Sequence, residues 1–328
     1  MSEGKLSVVM TFKNEYDEVA KTCKSIRDTA GDKVDIIVLN DDSDKGFDYE
    51  ESLKPYNVKY FYSPKRLGSS LGKQMCVDMC ETPYFLILDA HCRMWTPDWY
   101  DKAIEIMEKD EDCVYCCCVR FFSDDTDVKS FGVPAYGAFY FYEKPRPLTC
   151  KWNVSKLGDT EFEIPCILGA NYLCSKRWWN YIDGFNGLKL YGREEPFVSR
   201  KSLMLGGKVK CIPQIVTGHK KRKDNKFPYH LDYSEVVHNE LVMAYLLMND
   251  DFDKFLKYYE KNLSHSLVQG ALKVFETHKE EIESKYKHFS SLFKLTSKDI
   301  DDLNLKFCKK NGISTPLNEK NTLAATLA

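Results

Sequence analysis

The sequence predicts an α/β fold in which helices flank a mostly parallel central sheet, followed by a helical C-terminal region. Three observations predict it. Strand-like and helix-like segments alternate between residues 6 and 90, polar residues stand where several of these strands end, and amphipathic helices dominate beyond residue 230. This alternation is typical of βαβ units, whose ligands bind at the carboxyl ends of the strands.

The first predicted elements follow from runs of β-branched and aromatic residues and from helical spacing of apolar residues. The predicted strands are 6–12, 34–42, 58–63 and 84–90, with helices at 17–28 and 70–81. The polar residues at the strand ends are Thr11, Lys13, Asn14, Asp41, Asp42, Asp89 and His91. Because the carboxyl ends of parallel strands meet at one edge of the sheet, these side chains should lie close together.

The middle of the chain has a looser pattern. The predicted elements are a helix at 97–110, a hairpin or loop at 131–148, a strand at 167–175, a helix within 191–207 and a strand at 208–219. The helix within 191–207 has Pro196 near its first turn and Gly206–Gly207 at its end. The aromatic residues of 131–148 are interpreted as core, with a substrate-binding wall as the alternative.

The C-terminal part divides the chain into a predicted main domain, 1–230, and a helical region, 231–328. Val237, Leu241, Ala244 and Met248 share one helical face. The pattern continues in predicted helices at 251–262, 266–287 and 297–310. The helical region could pack on the α/β core as a small subdomain.

Charge and cysteine content bound the partners and the compartment. The net charge of −2 predicts no overall attraction to nucleic acid or to anionic membranes. Without a signal peptide or a bilayer-length apolar run, we expect a cytoplasmic protein (host cytoplasm if viral) with no membrane and no obligate protein partner. The 13 cysteines are an odd number, which favours reduced, buried thiols. Cys113 and Cys116 form a CxxC, but zinc is less favoured because a second pair is missing.

The stretch FLILDAHC ends a predicted strand with Asp89 and His91, two residues apart. In a strand such residues point to the same side, so their side chains can converge on one ion. A carboxylate and an imidazole together suit Mn²⁺ and similar ions. A polar strand end or a turn is the alternative explanation. His219, placed after another strand in IPQIVTGH, is the candidate third ligand.

A series of short motifs runs through residues 6–222. In order they are VVMTFKNE (8–15), VLNDDSD (38–44), RLGSSLGK (66–73), LILDAHC (86–92), LGANYLCSKRWW (168–179), YGREE (191–195) and IPQIVTGH (212–219). Each motif is loose, but their full ordered succession resembles the GT-A glycosyltransferases. The resemblance is to family-2-like enzymes and, through D-x-H, to the polypeptide N-acetylgalactosaminyltransferases.

The resemblance implies a Rossmann-like GT-A fold, a nucleotide-sugar donor, most often a UDP-sugar, and a divalent ion, usually Mn²⁺ (or Mg²⁺). It implies that Asp89, His91 and His219 are the metal ligands. The residues that match donor-contacting positions are Thr11, Glu15, Asp41, Asp42, Arg66 and Lys73. For Arg66 and Lys73, a solvated basic helix start is the alternative.

Glu194 and Glu195 match the acidic motif that is catalytic in this group. One carboxylate would hold a sugar and the other would deprotonate the acceptor hydroxyl. The alternative is that acids at a helix N-terminus only stabilise the helix through its dipole. Inverting family-2 enzymes usually have Glu-Asp here and the retaining N-acetylgalactosaminyltransferases have Glu-Asn. The Glu-Glu pair therefore leaves the stereochemistry open.

The acceptor is predicted from the lack of membrane segments and from the basic run Lys220–Lys226. Our leading hypothesis is a hydroxymethylated pyrimidine in DNA, with the basic run on the phosphates and aromatics of 136–142 stacked on an extruded base. A flexible cover over the donor diphosphate is another explanation of this run, and a solvated loop is the usual one. The alternatives are a cell-surface glycan precursor as acceptor, and a non-catalytic nucleotide- or carbohydrate-binding protein with a degenerate GT-A fold.

Overall fold

The structure is a computed structural model that describes residues 4–123, 131–143, 146–222 and 227–313. Its strands are β1 (Leu6–Phe12), β2 (Val34–Asp41), β3 (Lys59–Ser63), β4 (Tyr84–Leu88), β5 (Cys92–Met94), β6 (Cys113–Phe122), β7 (Phe131–Ala135), β8 (Ala138–Glu143), β9 (Arg146–Trp152), β10 (Phe162–Glu163), β11 (Asn171–Ser175) and β12 (Lys208–Lys220). Its helices are α1 (Asp17–Ala30), α2 (Tyr49–Leu53), α3 (Gly68–Asp78), α4 (Trp99–Lys109), α5 (Lys176–Tyr181), α6 (Glu194–Met204), α7 (Tyr233–Leu247), α8 (Phe252–Asn262), α9 (His265–Glu276), α10 (Lys279–Ser290) and α11 (Ser297–Lys310).

The central sheet has the strand order β10-β12-β6-β11-β4-β1-β2-β3. The half formed by β4, β1, β2 and β3 is parallel, with Val8 of β1 paired to Ile36 of β2 and to Leu86 of β4. β11 runs antiparallel to both β4 and β6, so the sheet is mixed beyond β4. The predicted α/β class is confirmed, and the parallel arrangement holds for the part built from the alternating strands and helices.

The centre of the sheet forms the core because its strands are apolar on both faces. Every residue of β4, YFLIL, is buried, and β1 is buried at all positions except Thr11. Continuous apolar runs of this kind are typical of parallel strands covered by helices on both sides. Each fully buried Val, Leu or Phe contributes about 1.5–3 kcal/mol to folding relative to an exposed one.

A glycine brings the start of α3 against the segment before α6. Gly68 has φ +77°, and a Cβ there would lie 2.3 Å from the backbone of Leu190. The close approach also allows a hydrogen bond, because the Ser70 amide donates to the Leu190 carbonyl at 3.0 Å. The beginnings of α3 and α6 are therefore held together at the carboxyl edge of the sheet.

The segment 131–148 forms β7 and the hairpin β8–β9. Tyr136, Phe139, Tyr140 and Phe141 are buried in it. The core interpretation of these four aromatics is confirmed, and the hypothesis that they stack on an extruded base is wrong for them. Their surface is already covered by the protein.

The C-terminal helices share the core of the sheet. α7 is buried over most of its circumference, and one continuous apolar cluster contains residues of β1, β4, α7, α9 and α10. The division at residue 230 stays a prediction. One helix predicted over 266–287 is wrong, because His278 leaves helical geometry (φ −139°, ψ 24°) and the chain forms α9 and α10 instead. No glycine or proline marks this break in the sequence, and both helices pack on α7.

Two further expectations concern cysteines and membranes. All 13 cysteines are free, and all are buried except the half-buried Cys150. Cys113 and Cys116 lie in the buried strand β6. Within the described ranges, no helix is long and apolar enough to cross a membrane.

Candidate active site

A pocket of about 570 Å³ opens at the carboxyl edge of the sheet. This volume is in the range of cavities that bind small molecules. The site residues predicted from the sequence that line it are Thr11, Glu15, Asp41, Arg66, Lys73, Asp89, His91, Glu194, Glu195 and His219. Asp42 is the exception, since it is not part of the lining and its carboxylate instead lies 3.3 Å from the Lys13 ammonium.

Three strand ends bring the candidate metal ligands together. Asp89 follows β4, His91 precedes β5, and His219 lies in β12 directly opposite Cys92 of β5. One ligand atom of each residue lies within 4.8 Å of the others. The Nε2 atoms of His91 and His219 are 3.0 Å apart, and the Asp89 Oδ2 is 3.6 Å from the His219 Nε2.

The spacing and chemistry of this group fit a divalent ion. Two neighbouring ligands of an octahedral ion with bonds of about 2.1 Å are about 3.0 Å apart. The two imidazole nitrogens are separated by 3.0 Å. One carboxylate oxygen and two imidazole nitrogens form a mixed donor set suited to Mn²⁺. The residues present therefore fit the ion that the sequence motif implies.

Glu15 orients one of these imidazoles. Its carboxylate lies 3.3 Å from the His91 Nδ1 and also accepts from the Arg222 guanidinium. Holding Nδ1 in this way directs Nε2 towards His219, as carboxylates behind metal-binding histidines commonly do. The Nδ1 atom of His219 has no hydrogen-bond partner among the described residues. Glu15 thus contacts the group Asp89, His91 and His219, here called the metal group. The donor contact predicted for Glu15 stays a prediction.

Lys73 is a buried cation among the acids of the pocket. Its ammonium lies 3.2 Å from the Asp89 Oδ1 and 5.1 Å from the centre of the Tyr172 ring. Burial works against its charge, but Asp89, Glu194 and Glu195 raise the pKa of Lys73. Burial likewise opposes ionisation of Asp89, yet Lys73 and the two imidazoles hold the pKa of Asp89 well below its usual range. Asp89 is therefore an ionised carboxylate.

Glu194 and Glu195 begin α6 and face the pocket. The Ser70 hydroxyl donates to the Glu194 Oε1 at 3.0 Å, and the Tyr172 hydroxyl donates to the Glu195 carboxylate. Burial and the neighbouring charge of Glu194 raise the pKa of Glu195. The two acids do lie at a helix N-terminus, where they can stabilise the helix through its dipole. They also carry hydrogen bonds that hold them in the cavity, which helix stabilisation alone does not require.

Asp41, Arg66 and Thr11 also line the pocket. The Asp41 carboxylate accepts from the backbone amides of Leu67 and Gly68, the latter at 2.8 Å, so it also caps the start of α3. Arg66 is paired with Glu235 of α7 at 3.1 Å. The buried Thr11 hydroxyl has no hydrogen-bond partner among the described residues. It lies against Gly72 of α3, where a Cβ would be 2.5 Å from the hydroxyl oxygen.

Several residues of the pocket were not predicted. They are Trp152, Tyr191, Arg193, Phe227, Tyr229, Tyr233 and Val236, together with Tyr172 behind Glu195. Tyr172 stands in the quoted motif LGANYLCS, where its place on the strand could have identified it. Tyr233 and Val236 come from α7, which the motif series does not reach.

The expected roles of the basic run Lys220–Lys226 are a cover over the donor diphosphate, a contact to DNA phosphates or a solvated loop. In its described part, Lys220 pairs with Glu18 at 2.7 Å and Arg222 pairs with Glu15. Arg222 lines the pocket, 3.4 Å from the His91 Nδ1. These two cations therefore have intramolecular partners beside the metal group. Residues 223–226 lie outside the described residues.

Comparisons with known proteins find similarity to glycosyltransferases. Residues 7–157 match the model of glycosyl transferase family 2. The chain is 24% identical over 267 residues to polypeptide N-acetylgalactosaminyltransferase 11 of Xenopus tropicalis, covering 76% of this chain and 43% of that protein. It is 24% identical over 234 residues to polypeptide N-acetylgalactosaminyltransferase 14 of Homo sapiens, covering 68% and 41%. The chain thus spans less than half the length of these curated relatives.

A solved structure supports the fold. The crystal structure of GalNAc-T7 with UDP, GalNAc and Mn²⁺ superposes with a TM-score of 0.68 at 18% identity, covering 84% of this chain and 55% of that one. The family resemblance inferred from the motif series is confirmed by these matches. The chain has a GT-A fold, and the match of residues 7–157 relates this part of it to glycosyl transferase family 2.

Proposed function

We propose that this protein is a metal-dependent glycosyltransferase that moves a sugar from a nucleotide-sugar donor to an acceptor hydroxyl. One observation carries the proposal. A pocket at the carboxyl edge of a GT-A sheet contains both the group Asp89, His91 and His219 and the acidic pair Glu194 and Glu195. A non-catalytic protein with a degenerate fold would not require the metal group and the acidic pair together in one cavity.

Asp89, His91 and His219 would hold the divalent ion, and Glu15 would keep His91 in position. A bound divalent ion stabilises the negative charge that develops on a departing diphosphate. Mn²⁺ is the first ion to test, because the similar GalNAc-T7 structure contains it. Mg²⁺ is the second, although two imidazole ligands favour Mn²⁺.

The donor proposal is a UDP-sugar. The similar GalNAc-T7 structure was solved with UDP and GalNAc, and several relatives are N-acetylgalactosaminyltransferases by name. Thr11, Asp41 and Arg66 line the same pocket as the metal group. They are proposed to bind the nucleoside, and Lys73 to neutralise acids around the diphosphate.

Glu195 is proposed to act on the acceptor hydroxyl, and Glu194 to bind a sugar hydroxyl. A general base works best when its pKa lies near the working pH. Burial and the charge of Glu194 raise the pKa of Glu195 in that direction. The Tyr172 hydroxyl, which donates to Glu195, would hold this carboxylate towards the reacting atoms.

For the acceptor, we propose a polypeptide hydroxyl as the first candidate, because the relatives are polypeptide transferases by name. The hydroxymethylated pyrimidine in DNA has no support from these relatives. Lys220 and Arg222 are also engaged in ion pairs, and four of the aromatics proposed for stacking are buried, while the Tyr142 side chain lies outside the described residues. The cytoplasmic location stays a prediction.

The test is mass spectrometry of products formed with Mn²⁺ and a panel of nucleotide sugars. The acceptors are Ser/Thr peptides, DNA containing hydroxymethylated bases, and glycans. We expect a mass increase of one sugar on a peptide that disappears when a chelator is added. Transfer to DNA or to a glycan would replace the acceptor proposal. Neither transfer nor release of UDP from any donor would refute glycosyl transfer and leave a binding protein.

A further inference from the structure

The segment of residues 189–193, here called the pre-α6 segment, leads directly into Glu194 and Glu195. Its backbone is unusual, because the non-glycine residues Leu190 and Arg193 have φ of 47° and 72°. Left-handed backbone at bulky residues is costly and persists only where neighbouring groups enforce it. The question is which groups enforce it here.

Asn239 of α7 supplies most of the enforcement. Its side chain is fully buried, and its Oδ1 accepts from the Lys189 amide at 2.9 Å. Its Nδ2 donates to the carbonyls of Lys189, Tyr191 and Gly192 at 2.7, 3.2 and 2.8 Å. One amide side chain therefore fixes both ends of the turn that precedes the two glutamates. His238 contacts the same Oδ1 at 2.9 Å and helps to hold the amide plane.

Glu240, the next residue of α7, fixes the last position of the segment. Its carboxylate is fully buried and accepts from the Arg193 Nε at 2.7 Å. The Arg193 carbonyl in turn accepts from the Phe197 amide at 3.0 Å, which is the first helical bond of α6. The orientation of Arg193 therefore sets where α6 begins and how its first two residues face the pocket.

A buried ion pair is a poor choice where only stability is needed. For an ion pair such as Arg193–Glu240, apolar residues of similar volume are often equally stabilising, and the single conformation that the pair specifies is its other use. The Asn239 amide pairs four backbone groups of the segment, so it holds that conformation directly. Here the specified conformation is that of the backbone that carries the acidic pair. The helical region that the motif series does not reach thus contacts the centre of the site.

We propose that Asn239 and Glu240 are positioning residues for Glu194 and Glu195. They act through the pre-α6 segment and do not touch substrate. The inference rests on the proposed function. It predicts that loosening the segment slows the chemical step while donor and metal binding, which are assigned to other residues, are retained.

The test compares Asn239→Asp with wild type in Mn²⁺-dependent UDP release from UDP-N-acetylgalactosamine, or from the UDP-sugar that the donor panel selects. The substitution keeps the oxygen that accepts from Lys189 and removes the donor to three carbonyls. We expect kcat to fall about 10- to 100-fold, as for small misplacements of catalytic groups. The Kd of UDP with Mn²⁺ should change by less than about threefold, since the residues proposed to bind UDP and the ion are not substituted.

Met243→Ala is the matched control, because Met243 is buried on the same helix and has no donor for the segment carbonyls. It should lower Tm without lowering kcat. Glu240→Gln is the second variant if Asn239→Asp does not fold, and it should show the same separation of kcat from UDP affinity.

Unchanged kcat in both polar variants would overturn the inference, as would a parallel loss of kcat and UDP binding that follows Tm. A wild-type protein that releases no UDP from any donor would instead refute the proposed function, and this inference with it.

Discussion

The two sides of the pocket are built in different ways. The sheet side places Asp89, His91 and His219 at the ends of strands that pair with each other or lie in one sheet. The α7 side works through Glu235, Asn239 and Glu240, which hold other residues of the site. On the sheet side, strand direction alone brings ligands together. On the α7 side, position depends on contacts between residues far apart in sequence.

The largest expected effect is on the sheet side. Asp89→Ala and His219→Ala each remove a proposed metal ligand and should lower Mn²⁺-dependent UDP release about 1,000-fold or more, since the loss of one ligand removes the stabilisation of the leaving diphosphate. UDP release at saturating donor is the measurement. His288→Ala, a substitution of an exposed histidine on α10, is the control and should retain wild-type activity. Metal-dependent release that persists in both variants would show that the ion binds elsewhere.

The next effect separates binding from chemistry. Glu195→Gln removes the proposed base and should lower kcat about 100- to 10,000-fold with little change in UDP affinity. The pH profile provides a second reading. Because burial and Glu194 raise the pKa of Glu195, activity should be lost as pH falls through a value above the usual 4.5 of a glutamate. That acidic limb should be missing from the residual activity of Glu195→Gln. If the Glu195→Gln variant keeps an acidic limb at the same pH as wild type, Glu195 is not the base.

A smaller effect is expected behind the metal group. Glu15→Gln weakens the hold on the His91 Nδ1 and should raise the Kd of Mn²⁺ about 10- to 100-fold, as for other carboxylates behind metal-bound histidines. Titration of Mn²⁺ with UDP present measures it. Activity should recover at high Mn²⁺ concentration, unlike in Asp89→Ala. If added Mn²⁺ gives no recovery, Glu15 has another role.

The smallest effect is expected at Arg66, which is proposed to bind the nucleoside. Glu235→Gln weakens the partly buried pair with Arg66, which lies 5.3 Å from the centre of the Tyr229 ring. The glutamine oxygen can still accept from Arg66, so the loss should be about 1 kcal/mol and the KM of the donor should rise no more than about fivefold while kcat is retained. Steady-state kinetics decide the point. A fall in kcat would mean that Glu235 acts with Asn239 on the acidic pair.

The sequence predicts the sheet side well because its information is local. LSVVMTF and SKDIDDLNLKFCKK match β1 and α11 residue for residue. The spacing of Asp89 and His91 in LILDAHC already implies convergence, since alternate residues of a strand face one side. Ten of the eleven residues proposed for the site line the pocket. Asp42 does not, because the chain turns at φ 56° there and its carboxylate meets Lys13.

The α7 side was not predictable for a physical reason. Asn239 lies 50 residues from Lys189, and nothing in YSEVVHNELVMAYLL marks it as different from a helix-surface amide. Arg222 was hidden in the same way, because a basic run is usually solvated and only tertiary contact shows that it meets Glu15. Long-range side-chain-to-backbone bonds leave no periodic signal.

The measurement that tests the central claim most directly is a Mn²⁺ titration followed by electron paramagnetic resonance, with and without UDP, in wild type, Asp89→Ala and His219→Ala. Our account predicts one saturable ion per wild-type chain, tighter binding in the presence of UDP, and loss of that ion in both variants. Absence of saturable binding by the wild type, or equal binding by the variants, would contradict it.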